Sequence, residues 1–313
     1  MSALKSKHIL GLFDMPVDDI QLILKTAGSM KYMLTSGNKR GPHLQGKSIV
    51  TLFYENSTRT RLSFELASKY LGASAANISA SGSSVSKGET LLDTARTINM
   101  MGADVIVIRH PMSGAPRFLS KHIKASVINA GDGMNEHPTQ ALLDMYTIME
   151  KKGAISGLNV CILGDIYHSR VARSNIWGLT KMGAKVSVAG PATLLPPQIE
   201  KMGVKVFGTV QQAIIDADVI INLRIQAERL SHCLLPSLRE YSRFYGVDRK
   251  ILSLAKKDAI ILHPGPVNRG VELTSDIIDG DSSFINEQVT NGVAVRMALL
   301  FLLTRRSTDE AAC

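Results

Sequence analysis

Cysteine is scarce in this chain, with three residues among 313: Cys161, Cys233 and Cys313. They lie far apart, and no pair has the close spacing of a zinc or redox site. Three scattered thiols also provide no disulfide framework. We therefore expect no structural metal, a reduced environment and a cytoplasmic location.

Long apolar runs are absent as well. No stretch approaches the roughly 18 apolar residues that a membrane-spanning helix needs. The first residues lack an apolar core followed by a small-residue cleavage site. The apolar segment 293–303 is short and is typical of a helix that docks on a folded domain. We expect neither a secretory signal nor a membrane partner.

No stretch concentrates the positive charge. The net charge is +9, from 36 basic and 27 acidic residues, but the densest basic clusters are pairs such as Lys151-Lys152. A nucleic-acid surface needs a basic stripe with aromatic residues beside it, which this sequence does not show. We expect no nucleic-acid partner, and only the arginines that lie within motifs are candidates for binding a small anion.

The chain does contain short apolar strands that alternate with helices. Hydrophobic residues make up 45% of the sequence, enough for packed cores in about two domains. The pattern predicts strands at 48–54, 104–108, 126–129, 159–163, 185–189, 218–223 and 259–262. It predicts helices at 17–34, 60–71, 91–101, 138–152, 169–182 and 210–215. Continuous apolar strands of this kind predict an α/β fold of two domains, each a mostly parallel sheet flanked by helices.

The segment KKGAISGL, residues 151–158, has the glycine and charge of a domain boundary. It follows a long predicted helix and precedes a new strand. We predict a first domain at 1–150, a second domain at 151–285, and a C-terminal helix at 286–313 that packs back on the first domain.

A dense group of hydrogen-bond donors follows the first predicted strand, in the stretch LFYENSTRTR at 52–61. The start of a helix offers backbone N–H groups and a partial positive charge. The stretch adds hydroxyl and guanidinium groups from Ser57, Thr58, Arg59, Thr60 and Arg61. Helix capping accounts for one hydroxyl but not for the arginines, so an anion site is favoured over a plain cap. The glycines and lysine of a nucleotide phosphate loop are missing.

Polar side chains follow other predicted strands too. These candidates are Arg109, His137, Gln140, Arg170, Arg224 and Gln226. Ligands of open parallel sheets bind outside the carboxyl ends of the strands. Arginine pairs suit carboxylates, and the imidazole could donate to a carbonyl oxygen. Two anion sites without a nucleophile or metal cluster indicate group transfer between two bound anions; a non-catalytic anion-binding protein is the alternative of another class.

Three motifs, FYENSTRTR, HPTQ and HPGPVNRG, together resemble the catalytic chains of the aspartate carbamoyltransferase family over nearly the whole sequence. The ornithine carbamoyltransferases share an STRTR-like motif but usually have HPCQ and a different loop, so Thr139 and the HPGP loop favour aspartate. The resemblance implies transfer of a carbamoyl group from carbamoyl phosphate to the α-amino group of L-aspartate, in pyrimidine biosynthesis. A carbamoyltransferase that uses ornithine or a related amine is the alternative.

The resemblance also implies a role for each polar position. Carbamoyl phosphate would be bound by Ser57, Thr58, Arg59, Thr60, Ser83, Lys87, Arg109, His137, Gln140 and the carbonyls of Pro264 and Gly265. Aspartate would be bound by Lys87, Arg170, Arg224 and Gln226. Catalysis would involve Arg59, Thr60, Lys87, Arg109 and His137. Glu55 would bridge to Arg170 and Arg229 when the domains close.

A catalytic homotrimer is a further implication of the resemblance. Ser83 and Lys87, in the loop SASGSSVSKGE at 79–89, would enter the active site of the neighbouring subunit. Neither a cofactor nor a metal is implied, and no side chain needs to form a covalent intermediate. A regulatory chain and assembly beyond the trimer are left open.

Overall fold

The computed structural model describes residues 3–37, 39–79, 88–225 and 237–309, with side chains as far as Arg305. The chain forms two compact units, Met1–Leu143 with Thr290–Cys313 and Asp144–Val289. Each unit contains one parallel sheet flanked by helices, so the predicted α/β class is confirmed. The predicted functional domains at 1–150, 151–285 and 286–313 stay a prediction.

The first unit contains a four-stranded sheet. Its strands are β1 (Ser48–Phe53), β2 (Ser74–Ser79), β3 (Val105–His110) and β4 (Ser126–Asp132), in the spatial order β2-β1-β3-β4. All neighbouring pairs are parallel. The flanking helices are α1 (Val17–Thr35), α2 (Thr58–Tyr70), α3 (Leu91–Met100), α4 (Ala115–Ser120) and the first part of α5 (Pro138–Lys152).

The second unit contains a five-stranded parallel sheet. Its strands are β5 (Asn159–Leu163), β6 (Lys185–Ala189), β7 (Lys205–Phe207), β8 (Val219–Asn222) and β9 (Ile260–Leu262), in the order β7-β6-β5-β8-β9. Its helices include α6 (Arg170–Lys181), α7 (Val210–Ile214), α8 (Leu238–Tyr245), α9 (Arg249–Leu252) and α10 (Ser275–Ile278). Two 3-10 turns lie at Ala192–Leu194 and Ile199–Met202.

The strand order places a topological switch point in each sheet. In the first sheet the order reverses between β1 and β3, and in the second between β5 and β8. Loops diverge at such points and leave a crevice at the carboxyl ends of the strands, where α/β proteins bind ligands. The segments after β1, β3, β5 and β8 therefore lie where the polar motifs were expected to act.

The apolar strands supply the cores. In the first unit, Leu52, Ile106 and Ile108 pack in one cluster with Ile98 of α3 and Leu119 of α4. In the second, strand and helix residues pack in another cluster that includes Cys161, Leu163, Ile220, Ile261 and Ile214. Burial of each large aliphatic side chain is worth about 1.5–3 kcal/mol, so the strands that carry the site rest on rigid supports.

The last helix, α11 (Ile285–Asp309), begins one residue before the C-terminal helix predicted at 286, and it extends well beyond the apolar segment 293–303. Its residues from Thr290 onward belong to the first unit, where Arg296 lies over the Phe64 ring of α2 at 5.2 Å. The prediction that the C-terminal helix packs back on the first domain is confirmed. Within the described ranges, neither α11 nor any other helix has the length and apolar character that a membrane crossing requires.

Two strands were missed by the sequence pattern, β2 and β7. The sequence of β2, SAANIS, consists of small and polar residues, and the strand forms an exposed edge of the sheet. Strand β7 has three residues. No residue of either strand is buried, so both lack the continuous apolar run that marks a buried parallel strand.

Candidate active site

The first switch point brings Arg109 beside the donor-rich stretch after β1. Phe53 and Arg109 are register partners in the β1–β3 pair, and the Tyr54 N–H donates to the Arg109 carbonyl at 2.9 Å. Two residues that lie 56 positions apart in sequence are thereby fixed side by side at the carboxyl ends of β1 and β3. The structure thus brings two of the predicted binding segments together.

The Arg109 side chain is held between two neighbouring segments. Its Nε lies 3.3 Å from Glu55 Oε2, and its Nη1 donates to the Ala130 carbonyl at 3.4 Å. A guanidinium fixed by a carboxylate and a carbonyl keeps its remaining N–H groups in a constant direction. The predicted bridge from Glu55 to Arg170 and Arg229 stays a prediction, and Arg229 lies outside the described residues.

His110 and Tyr54 form a ring pair at the same strand ends, with centroids 4.7 Å apart. His110 Nδ1 accepts the Met112 N–H at 3.0 Å. Burial lowers the pKa of His110 below its ordinary value of 6.5, because it disfavours the charged form of the ring. The positive charge at the end of β3 therefore comes from Arg109.

The start of α2 forms the second part of this edge. Ser57 occupies the N-cap position in extended conformation, yet its side chain makes no capping hydrogen bond, and the first helical turn holds no acidic residue. Thr58 and Arg59 are exposed, whereas Thr60 is buried. In contrast, Ser169 caps α6 by accepting the Ala172 N–H. The hydroxyl of Ser57 thus does not accept a backbone N–H of the first turn of α2, as the side chain of an ordinary N-cap residue does.

His137 and Gln140 lie at the start of α5, just beyond β4. Both are buried, with 5% and 9% of their surface exposed. The Gln140 N–H donates to the His137 carbonyl at 3.0 Å, and Thr139 Oγ1 lies 3.4 Å from His137 Nδ1. The predicted Pro138 is the first residue of the helix. The segment that leads to this helix start follows β4, which pairs with β3, the strand that carries Arg109.

A group of buried polar residues that the sequence did not reveal supports His137. Asp132 Oδ1 accepts the Glu136 N–H at 3.0 Å and the Asn129 amide at 2.8 Å. The Glu136 carboxylate accepts the N–H groups of Leu12 and Phe13 at 2.7 and 3.2 Å. The only sequence signal was the polar run after β4, GDGMNE. Its partners lie over 100 residues away, so no local pattern could identify them.

In the second unit, the segment after β5 places Arg170. Asp165 is fully buried and accepts the backbone N–H of His168 at 3.1 Å, and its carboxylate lies 3.0 Å from His168 Nδ1. Ser169 then caps α6, whose first residue is Arg170. Arg170 itself is buried, with 5% exposed. A tight turn and a helix cap therefore fix the backbone of Arg170 at the start of α6, just after β5.

Arg224 follows β8 next to a buried carboxylate. Glu272 accepts the Ile225 N–H at 2.8 Å, the Asn268 N–H at 2.8 Å and the Asn268 side-chain amide at 2.7 Å. Burial raises the pKa of Glu272 above its ordinary value, although these hydrogen bonds act in the opposite direction. Glu272 thus joins the segment that carries Arg224 to the loop after β9.

Pro264 and Gly265 lie in that loop and are half-buried. Gly265 has a φ of 62°, which favours glycine. Its N–H donates to His263 Nδ1 at 2.8 Å. The His263 ring therefore closes the backbone of Pro264 and Gly265, the two residues predicted to offer carbonyl groups, into a short turn.

Four predicted site residues lie outside the described part of the chain: Ser83, Lys87, Gln226 and Arg229. Among the residues that are described, no group of three or more His, Cys, Asp and Glu side chains could hold a metal ion. The described donors are guanidinium, imidazole, hydroxyl, amide and peptide groups. Such groups at the carboxyl ends of parallel strands define a class of α/β proteins that bind small anionic ligands.

Two family descriptions match the chain in succession. Residues 7–150 match the carbamoyl-P binding domain of aspartate/ornithine carbamoyltransferases, and residues 156–303 match the Asp/Orn binding domain. The chain belongs to the aspartate/ornithine carbamoyltransferase family.

Individual relatives agree with this assignment. An aspartate carbamoyltransferase catalytic subunit from Acetivibrio thermocellus is 73% identical over 308 residues, 98% of this chain and 99% of that one. The aspartate transcarbamoylase of Trypanosoma cruzi, solved in complex with N-(phosphonacetyl)-L-aspartic acid, has a TM-score of 0.86 at 32% identity and covers 95% of this chain and 96% of its own.

The fold is shared by the ornithine branch of the family. An ornithine carbamoyltransferase from Pyrococcus furiosus has a TM-score of 0.85 at 31% identity, with 96% of this chain and 98% of that chain covered. Nearly equal TM-scores for the two branches mean that backbone shape does not separate an aspartate from an ornithine enzyme. The choice between them rests on sequence identity and on the motifs.

Proposed function

We propose that this chain is the catalytic subunit of an aspartate carbamoyltransferase. It transfers the carbamoyl group of carbamoyl phosphate to the α-amino group of L-aspartate, which gives N-carbamoyl-L-aspartate and phosphate in pyrimidine biosynthesis. The observation that carries this proposal is the 73% identity, over 98% of the chain, to a catalytic subunit of that name. Thr139 in the HPTQ motif supports aspartate over ornithine.

Carbamoyl phosphate is bound mainly at the switch point of the first sheet. The phosphate is held at the start of α2 by Ser57, Thr58, Arg59 and Thr60, where the helix end attracts anions. The uncapped Ser57 and the absence of acidic residues in the first turn support this role. Arg109, His137 and Gln140 contact the carbamoyl end, together with the carbonyls of Pro264 and Gly265. Ser83 and Lys87 complete the set.

Aspartate is bound by Arg170, Arg224 and Gln226, with Lys87 also in contact. Two guanidinium groups suit two carboxylates, because each can form a pair of parallel hydrogen bonds to one of them. The placement of Arg170 and Arg224 after β5 and β8, the two strands at the switch point of the second sheet, supports this assignment. Glu55 and Arg229 take part in closure of the domains, as the family resemblance implies.

The reaction begins when the deprotonated amine of aspartate attacks the carbonyl carbon of carbamoyl phosphate. A C–N bond forms, and the C–O bond to phosphate breaks as the tetrahedral centre collapses. The departing phosphate, paired with Arg59 and Lys87, takes up the amine proton. Negative charge that develops on the carbonyl oxygen is stabilised by Thr60, Arg109 and His137, and the loss of one such donor costs about 10²–10³ in rate. Alignment of the two substrates supplies much of the acceleration.

The chain acts as a homotrimer in the cytoplasm, without a cofactor. Ser83 and Lys87 enter the site of a neighbouring subunit. Sizing of the purified chain by light scattering, alone and with candidate partners, tests for a regulatory chain.

Assay of the purified chain with carbamoyl phosphate and either aspartate or ornithine tests the proposed function. We expect N-carbamoyl-L-aspartate and phosphate in equal amounts with aspartate, and no citrulline with ornithine. Turnover with ornithine alone would establish the other branch of the family. Tight binding of N-(phosphonacetyl)-L-aspartate without turnover of either amine would instead favour a non-catalytic anion-binding protein.

A further inference from the structure

A line of hydrogen bonds runs from the turn at Pro264 and Gly265 into the interior of the second unit, and all but the first of them are buried. The ring of His263 holds the Gly265 N–H at 2.8 Å. The backbone N–H of His263 donates in turn to Gln288 Oε1 on α11 at 2.9 Å. His263 thus holds the turn through its ring, and Gln288 holds His263 through its backbone N–H.

The line continues from Gln288 to a buried carboxylate. Gln288 Nε2 donates to Asp144 Oδ1 on α5 at 2.7 Å, and Asn175 on α6 donates to Asp144 Oδ2 at 2.8 Å. Both ends of the Gln288 amide have a fixed sense, because a backbone N–H can only donate and an ionised carboxylate can only accept. Asp144 and the His263 N–H therefore together fix which way the Gln288 amide faces.

The four side chains lie in the interior. His263, Gln288, Asp144 and Asn175 have no more than 3% of their surface exposed. Burial of a carboxylate is costly, and apolar residues of similar volume would often stabilise a protein at least as well. A buried charge whose hydrogen bonds lead to a proposed ligand-binding turn indicates a role in fixing position.

We infer that Asp144 is a positioning residue for carbamoyl transfer: through Gln288 and His263 it sets the place of the Pro264 and Gly265 carbonyls that accept from the carbamoyl amide. This inference rests on the proposed function. It adds a residue that touches neither substrate, and it assigns Asp144 to recognition of one part of one substrate, the NH₂ group of carbamoyl phosphate.

The chemistry offers a ligand that separates this role from general stability. Acetyl phosphate has a methyl group where carbamoyl phosphate has NH₂, so it cannot donate a hydrogen bond to the two carbonyls. A displaced turn should weaken the binding of carbamoyl phosphate and leave that of acetyl phosphate unchanged. A general loss of structure would weaken both.

The hydrogen bond between Asp144 and Gln288 also permits an exchange of donor and acceptor. In Asp144→Asn, a single oxygen remains to accept from two amide donors, so one hydrogen bond is lost. In Gln288→Glu, two carboxylates face each other. The double variant D144N/Q288E restores the line, because the new amide at position 144 donates to the new carboxylate at position 288. That carboxylate still accepts from the His263 N–H.

The experiment measures KM for carbamoyl phosphate and the inhibition constant of acetyl phosphate, with circular dichroism to verify folding. We expect each single variant to raise KM for carbamoyl phosphate about two- to tenfold. This is the effect of losing one neutral hydrogen bond between the carbamoyl NH₂ group and a carbonyl of the turn. The inhibition constant of acetyl phosphate should stay unchanged, and the double variant should recover the wild-type KM. Thr304→Val, which removes a buried hydrogen bond to Leu300 elsewhere in α11, is the matched control and should leave both constants unchanged.

Gln288→Asn carries the same test if a single variant does not fold, since its amide is one methylene too short to reach both partners. Equal weakening of both phosphates, unchanged constants in the single variants, or a folded double variant without recovery would overturn the inference and leave the proposed function intact. Absence of wild-type turnover would instead remove the proposed function and this inference with it.

Discussion

Arg59 is the second residue of α2, in a first turn without acidic side chains, and it is exposed. An exposed arginine contributes little to the stability of a fold. Its value in this position lies in the charge that it adds to a helix start that already attracts anions. The contrast with Arg170, which is buried at the start of α6, shows that the same residue type at two helix starts has different surroundings.

Replacement of Arg59 tests the phosphate site at the scale of one residue. Arg59→Ala should reduce kcat/KM by about 10³ or more, because the departing phosphate loses its guanidinium partner while negative charge develops on it. The free energy of unfolding should change by less than about 0.5 kcal/mol. Steady-state assays and urea unfolding measure the two quantities. Lys69→Ala, in the last turn of the same helix, is the control and should leave turnover unchanged; normal activity of Arg59→Ala would remove the phosphate site from α2.

Strands β1 and β2 lie side by side, yet only one of them was predicted from sequence. In β1 five of the six residues are buried, and the apolar run SIVTLF identifies it. In β2 none of the six residues of SAANIS is buried. The pattern of apolar residues records burial, so it finds the buried strands, including the end strands β4 and β9, and misses β2. The apolar segment 293–303 likewise covers only part of α11, because the first turns of that helix carry polar residues such as Gln288, whose partner lies elsewhere in the chain.

Polar side chains that join elements were also beyond prediction. Glu272 connects the segment after β8 to the loop after β9 through hydrogen bonds to Ile225 and Asn268. Glutamate in a loop is usually exposed, and nothing in the local sequence distinguishes this one. Its burial is decided by two segments that are distant in sequence and meet only in the folded unit.

The pH dependence of stability tests the role of Glu272. Burial raises its pKa above the ordinary value of 4.5, so the folded state binds the proton more tightly than the unfolded chain does. The stabilisation from this group is therefore fully present below pH 4.5 and is lost as pH rises through the raised pKa. Gln at this position has no such dependence. The free energy of unfolding of wild type minus that of Glu272→Gln should fall as pH increases from 4.5.

Urea titrations of both proteins, at equal chain concentration and several pH values, measure this difference. Glu240→Gln, at an exposed position in the first turn of α8, provides the matched control and should show no comparable fall. A difference that grows with pH would mean that the three N–H donors outweigh the cost of burying the charge.

At the scale of the whole molecule, the proposed homotrimer gives each active site residues from two chains. The two residues assigned to the neighbouring site, Ser83 and Lys87, carry the prediction of shared sites.

Light scattering should give three times the chain mass of 33.9 kDa. Arg59→Ala and Lys87→Ala should each be inactive alone. After subunit exchange of equal amounts, roughly a quarter of the sites should regain both residues by random assortment in a closed ring. Activity near that fraction of wild type would support shared sites. Mass spectrometry should first show that the subunits have exchanged. If activity does not recover after that exchange, both residues act within one chain.

The sequence by itself determined the α/β class, the order of most strands and helices, and the positions of the polar motifs. It could do so because buried parallel strands need continuous apolar runs, and because strand ends and helix starts require particular residue types locally. Only the tertiary structure decided which distant residues meet, such as Phe53 beside Arg109 and Asp144 beside Gln288, 144 positions apart. The physical reason is that a buried polar group must find a partner, and the chain satisfies that need through contacts that no local spacing encodes.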